Sequence, residues 1–90
     1  MPLQTFPQTL ALIGRIDYLI RTRATGTPEQ MAERLGVSRS TWFNYVAVLK
    51  TDMNFPIEYD RQAQTYYYTR PGAFRMGYVV TEPDVAMPTI

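Results

Sequence analysis

The sequence predicts an α+β fold: three helices, then a β-hairpin, with a candidate further C-terminal strand. Three observations predict it. The apolar period is helical up to about residue 53 and alternates from residue 57. Two strong helix starts, at Thr27 and Ser38, follow glycine stops. A tyrosine-rich run, Thr65 to Thr69, lies one polar loop beyond a first alternating run.

The first helix is expected from about Thr9 to Arg23. Leu12, Ile16, Leu19 and Arg23 recur at spacings of four, three and four, and Ile13 and Ile20 widen the stripe. Arg21 and Arg23 would sit in its last turn, opposing the macrodipole, with Gly26 as the stop. They are read as a solvated helix end rather than a DNA patch. Thr27-Pro28-Glu29-Gln30 opens the second helix: Thr27 as N-cap, Pro28 at the first position, Gln30 closing a capping box. Met31, Ala32 and Leu35 give its apolar side, and Gly36 ends it after about two turns.

Ser38 then caps a third helix running to about Asp52. Its apolar seam is Trp42, Val46, Leu49 and Met53, and its opposite side is Ser40, Asn44, Ala47 and Thr51. Arg39, Phe43 and Lys50 flank that side. Trp42 is read as core by its spacing, whereas Phe43 stands between core edge and outer face. Beyond Asn54, Ile57 and Tyr59 alternate with Glu58 and Asp60. The loop Arg61 to Gln64 has no glycine, so it should exceed a two-residue turn. Of Tyr66, Tyr67 and Tyr68, two are expected in the core of a strand; the rival reading is a stacking platform for single-stranded nucleic acid. Phe74, Met76, Tyr78 and Val80 alternate again and suggest one more strand. The expected organisation is thus a domain over 9–70, an extra or dimerisation strand over 71–81, and a flexible tail over 82–90.

Composition limits the chemistry. Ninety residues make 10.4 kDa, enough for one small domain. Nine basic and eight acidic residues give a formal charge of +1, so bulk charge alone announces no nucleic acid. With no Cys and no His, disulfides, thiolate zinc sites and histidine-based catalysis are excluded. Asp17, Glu29 and Glu33 are read as surface charges. No pair of carboxylates stands out as acid and base, and no Gly-rich phosphate loop is present. No enzyme activity, cofactor, metal or small-molecule ligand is therefore expected. The apolar stretch Leu10 to Ile20 is broken by Arg15 and Asp17 and is too short to span a bilayer. No signal-peptide n-region opens the chain, and a cytoplasmic location without membrane partners is the expectation.

The spacing over residues 28–50 carries the functional signal. A short capped helix, one apolar turn residue (Val37), a Ser cap, and a helix with small polar residues early on its outer face make a helix-turn-helix plan. Met31, Leu35, Val37, Trp42 and Val46 would form the shared core.

Residues 10–69, about two-thirds of the chain, resemble the winged helix-turn-helix domains of bacterial transcription regulators. They are most similar to the type that opens biotin-repressor and deoxyribose-operon-repressor proteins. The stretch Gly26-Thr27-Pro28-Glu29-Gln30-Met31-Ala32-Glu33-Arg34-Leu35-Gly36-Val37-Ser38-Arg39-Ser40-Thr41 carries most of the likeness. Phe55-Pro56-Ile57-Glu58-Tyr59-Asp60 with Tyr66-Tyr67-Tyr68 is similar to the family's wing. The resemblance implies duplex-DNA binding, with the third helix in the major groove and the wing along the backbone.

By that resemblance Ser38, Arg39, Ser40, Thr41, Phe43 and Asn44 would face DNA. Arg39 would reach a phosphate or a guanine edge, and Asn44 an adenine. Ser38 and Thr41 would hold a phosphate with the helix N-terminus. Lys50 and Arg61 would contact the backbone at the rims. The chain also departs from the pattern. Many relatives have Arg where Asn44 stands, and more basic residues here and in the wing. Residues 38–52 carry net +1 and residues 57–70 net zero, so non-specific affinity should be weak.

The resulting expectation is a small stand-alone DNA-binding protein, a prokaryotic transcription regulator, pairing as a homodimer to lengthen its site. Its alternatives are a winged-helix protein-interaction module without DNA binding, or an excisionase-like architectural factor of a mobile element.

Overall fold

A computed structural model describes residues 5–75. The order is α1 (Phe6–Arg21), α2 (Pro28–Leu35), α3 (Arg39–Thr51), β1 (Ile57–Asp60) and β2 (Thr65–Tyr68). This is the α+β winged-helix layout: three helices, then an antiparallel hairpin. No described helix is long and apolar enough to cross a membrane.

Helix α1 begins at Phe6, ahead of the expected Thr9. Thr5 is its N-cap: the Thr5 hydroxyl accepts from Gln8 N–H, and Gln8 Oε1 accepts from Thr5 N–H. The helix also ends earlier than expected. Arg23 lies beyond its last turn, in the left-handed region at φ 55. Its N–H donates to the Ile20 carbonyl, and Ala24 N–H donates to the Leu19 carbonyl. Those two bonds form a Schellman closure, normally completed by glycine. Arg23, rather than Gly26, therefore marks the stop of α1. Gly26 instead serves the start of α2. Its φ is 73, and a side chain there would collide with Gln30 Oε1, the atom that closes the α2 capping box on Thr27 N–H.

Helices α2 and α3 follow their caps. Gly36 adopts the left-handed conformation at φ 71 and ends α2. Ser38 accepts from Thr41 N–H and starts α3. Along α3 the inward residues are Trp42 and Leu49, with Tyr45 and Val46 half-buried. Met53, the last residue of the expected seam, is exposed. The core gathers Ile16 and Ile20 of α1, Met31 and Ala32 of α2, Trp42 and Leu49 of α3, and Ile57 and Tyr66 of the hairpin. Leu35 and Val37 pack against it, as the shared-core reading requires. Trp42 is fully buried, edge-on to Tyr66 with ring centroids 5.2 Å apart. Its indole N–H is buried and makes no hydrogen bond of good geometry among the described residues.

The hairpin pairs Ile57 with Tyr68, Glu58 with Tyr67, Tyr59 with Tyr66 and Asp60 with Thr65. Its loop spans residues 61–64. The Asp60 carboxylate accepts from Gln62 and Ala63 N–H, and Gln64 closes the turn at φ 56. Alternation directs Tyr66 and Tyr68 inward: Tyr66 is buried, and Tyr68 packs against the core at ring distance 6.1 Å from Phe55. Two of the three tyrosines thus serve the core, as a strand predicts. The segment joining α1 to α2 runs beside β2, where Tyr66 N–H donates to the buried Thr25 hydroxyl. Arg15 reaches from α1 to α2 to donate to the Arg34 carbonyl, and Arg34 in turn donates to the Thr25 carbonyl.

Asp17 is no surface charge. It is 1% exposed and accepts from Arg21 Nε, the Tyr68 hydroxyl and Phe74 N–H. It lies on the buried side of α1 beside Ile16 and Ile20. The chain after β2 accordingly turns back toward α1, with Thr69 N–H on the Pro56 carbonyl and Phe74 tilted on Phe55. Residues 71–75 form no strand. The remainder of the expected extra strand, 76–81, and the tail over 82–90 lie outside the described residues.

Candidate nucleic-acid interface

The compact α2–turn–α3 unit leaves one side of α3 in solvent. Ser40, Asn44, Ala47 and Thr51 form an exposed row at spacings of four, three and four. None carries a large aliphatic side chain, so the helix backbone can come close to an opposing surface. Arg39 and Phe43 flank the row at its N-terminal half, and Lys50 flanks it near the C-terminal end. Phe43, left open by the sequence, is 42% exposed and belongs to this side.

Each expected contact residue has a defined setting. Arg39 is the first residue of α3. Its Nε lies 3.2 Å from Glu29 Oε2, and its guanidinium sits 5.2 Å from the Phe43 ring centroid. The arginine is thus held against the helix surface by a carboxylate at the start of α2 and an aromatic face. Ser38 and Thr41 are bonded to each other: Ser38 Oγ donates to Thr41 Oγ1 at 3.0 Å and accepts from Thr41 N–H. Their hydroxyls are engaged in capping α3, and Thr41 is half-buried. Ser40 and Asn44 are exposed and make no hydrogen bond through their side chains among the described residues. Lys50 Nζ lies 3.4 Å from Glu58 Oε2 on β1. Arg61 is exposed in the hairpin loop, with no ion pair among the described residues.

The structure therefore brings Arg39, Ser40, Phe43, Asn44 and Lys50 onto one side of α3. Arg61 stands apart on the hairpin loop. Sequence reasoning missed the carboxylates that accompany the two cations. Glu29 and Arg39 stand on different helices, and Lys50 and Glu58 on a helix and a strand, so no helical i,i+4 rule reveals them. Both pairs are exposed, and pairs of that kind stabilise little. Their consequence is electrostatic: the two cations flanking the row each face a negative charge.

Among the described residues no group of acidic side chains is arranged to hold a metal ion. No protein-family model, no curated protein and no solved structure matches the chain, so the functional reading rests on the geometry of this face.

Proposed function

We propose that the chain binds duplex DNA, with the exposed side of α3 in the major groove and the hairpin loop along the backbone. The observation that carries this reading is the row Ser40, Asn44, Ala47 and Thr51, solvent-exposed, small and rimmed by Arg39 and Lys50. An α-helix fits the major groove, and small side chains let longer neighbours reach base edges. Asn44 offers the bidentate geometry for adenine, and Arg39, released from Glu29, that for guanine. The weakly charged face suits a reader of sequence more than a non-specific coat. In this reading the protein acts as a small prokaryotic transcription regulator, and two copies would read a palindromic site.

Selection from a random duplex library, followed by titration of the enriched pool, tests the proposal. Arg39→Ala and Asn44→Ala should each weaken binding to the selected site by about 1–3 kcal/mol. If both variants bind that site as tightly as the parent, α3 does not read the groove.

The ion pairs Arg39–Glu29 and Lys50–Glu58, with exposed Phe43 between the two cations, favour a second reading, in which this side of α3 docks a protein. No enrichment in the selection and no duplex binding at low salt would select it.

A further inference from the structure

A second basic surface lies at the end of α1. Arg21, Arg23 and Arg70 line a groove of about 350 Å³, together with Tyr67 and the Pro71-Gly72 bend. The groove runs between the closing turn of α1, the strand β2 and the segment that follows it.

The electrostatics of this groove are the reverse of those at α3. Arg23 and Arg70 have no carboxylate within ion-pair distance among the described residues. Arg21 has one, the buried Asp17, which is bound to its Nε at 2.8 Å. That bond, with the Tyr18 ring 5.8 Å from the guanidinium carbon, orients the Arg21 head while leaving its terminal nitrogens for another partner. Arg23 is likewise oriented, 5.2 Å from the centroid of Tyr67. Three guanidiniums against one carboxylate leave net positive charge around the groove.

The backbone supplies an independent observation. Arg23 occupies the left-handed closing position of α1 at φ 55, where glycine is the low-strain choice. Three carbonyls at that helix end are already satisfied by the closing turn itself. Tyr18 O accepts from Thr22 N–H and its hydroxyl, Leu19 O from Ala24 N–H, and Ile20 O from Arg23 N–H. The closing turn therefore does not need the Arg23 side chain, and its backbone would be better served by glycine. The Arg23 side chain lies instead over Tyr67, on the wall of the groove.

We propose that this groove is a phosphate-binding site in which Arg21, Arg23 and Arg70 receive one phosphate group. Guanidinium forks match phosphate oxygens geometrically, and two of the three are already fixed by neighbours, which lowers the ordering cost. The phosphate is carried either by a nucleic-acid backbone or by a small phosphorylated molecule. The site stands apart from the α3 reading, because it shares no residue with it.

The test is an NMR titration of the isotope-labelled full chain with inorganic phosphate, against sodium chloride at equal ionic strength. Arg23→Gly and Arg70→Ala are titrated in parallel. Phosphate should give saturable shifts confined to residues 21–24, 67 and 70–72. Each variant should weaken them about fivefold or more, as loss of a charge-assisted hydrogen bond implies. Arg23→Gly should meanwhile keep or raise the thermal midpoint, which separates lost binding from lost folding. Non-saturable shifts, identical in both variants and matched by chloride, would overturn the proposal.

A random-sequence duplex then distinguishes the two sources. If it moves the same resonances, and Arg70→Ala lowers the salt slope of duplex binding by about 0.9, the phosphate belongs to a nucleic-acid backbone. If those resonances respond to phosphate and stay still with duplex, the site takes a small phosphorylated molecule. Failure of the α3 reading would appear separately, as indifference of duplex binding to Arg39→Ala and Asn44→Ala.

Discussion

The Asp17 side chain shows how much one buried polar residue can organise. A carboxylate taken out of water must be met by donors, or its desolvation is uncompensated. Here the donors come from three places: Arg21 one turn along α1, the Tyr68 hydroxyl at 2.7 Å and Phe74 N–H at 3.1 Å. Only the first could be seen locally in the sequence; the others lie 51 and 57 positions away, which is why Asp17 reads as a surface charge until the fold is known. The same contact alters Tyr68. Burial, and then its hydrogen bond to Asp17, raise the phenol pKa above its ordinary value of 10.0. Burial also raises that of Tyr66. The folded chain thus keeps phenolic protons that the unfolded chain releases as pH climbs past about 10, so the unfolded state binds fewer protons there and stability must fall. Below that pH both states hold the proton and the contribution is fully present. Urea midpoints between pH 8 and pH 11 should decline on the alkaline side. Tyr68→Phe should cost about 1–3 kcal/mol at neutral pH, since Asp17 loses a donor. It should also shallow the alkaline decline, leaving the part due to Tyr66. An unchanged midpoint at neutral pH would show that Asp17 does not depend on the phenol.

At the scale of elements, caps decide boundaries more than periodicity does. Both α1 and α2 open on a reciprocal Thr–Gln capping box with a proline in the first turn. The α2 box is legible because Gly26 and Pro28 frame it and apolar residues follow at once. The α1 box, Thr5 to Gln8, is missed because the apolar stripe becomes regular only near Leu12, and a first turn facing solvent leaves no periodic trace. The other end of α1 misleads for the opposite reason. A closing turn normally advertises itself with glycine, and here an arginine occupies it. The hairpin was readable in both strands and in the length of its loop, since a loop lacking glycine cannot make the tight primed turns. Gly26→Ala tests the capping argument. The new methyl would force a left-handed backbone on alanine and displace Gln30 Oε1 from Thr27 N–H. The expected loss is about 2 kcal/mol, combining backbone strain with a lost cap contact. Thr27→Ala should cost about 1 kcal/mol alone. Because both damage the same box, the double variant should cost less than the sum in chemical denaturation. Full additivity would place the Gly26 effect in backbone strain alone.

For the whole molecule the decisive quantity is where the charge sits, because the total is only +1. The exposed row of α3 and its flanking cations were legible from helical spacing and the Ser38 cap. Their partners were not, because tertiary packing alone places Glu29 beside Arg39 and Glu58 beside Lys50. The cations of the α3 face are thereby matched by anions, while those at the end of α1 are in excess. On a DNA-binding reading, Glu29 and Glu58 would hold down the attraction that any phosphate backbone exerts. Neutralising them should release it. Glu29→Gln with Glu58→Gln removes both negative charges while keeping the side-chain shape, and exposed pairs of this kind cost little to break. Glu29 also lies in the first turn of α2, so a further loss of about 0.3–1 kcal/mol in stability is expected there. Binding to a random-sequence duplex should strengthen, and the slope of log affinity against log salt should steepen by about 0.9 for each cation that now meets a phosphate. Affinity for a selected site should rise less than affinity for random sequence, so discrimination between them should fall. Fluorescence anisotropy with both duplexes over a range of salt concentrations measures the affinities and the slopes, and chemical denaturation measures the stability loss. A slope unchanged in the double variant would show that Arg39 and Lys50 meet no phosphates, and would turn the α3 face toward a protein partner.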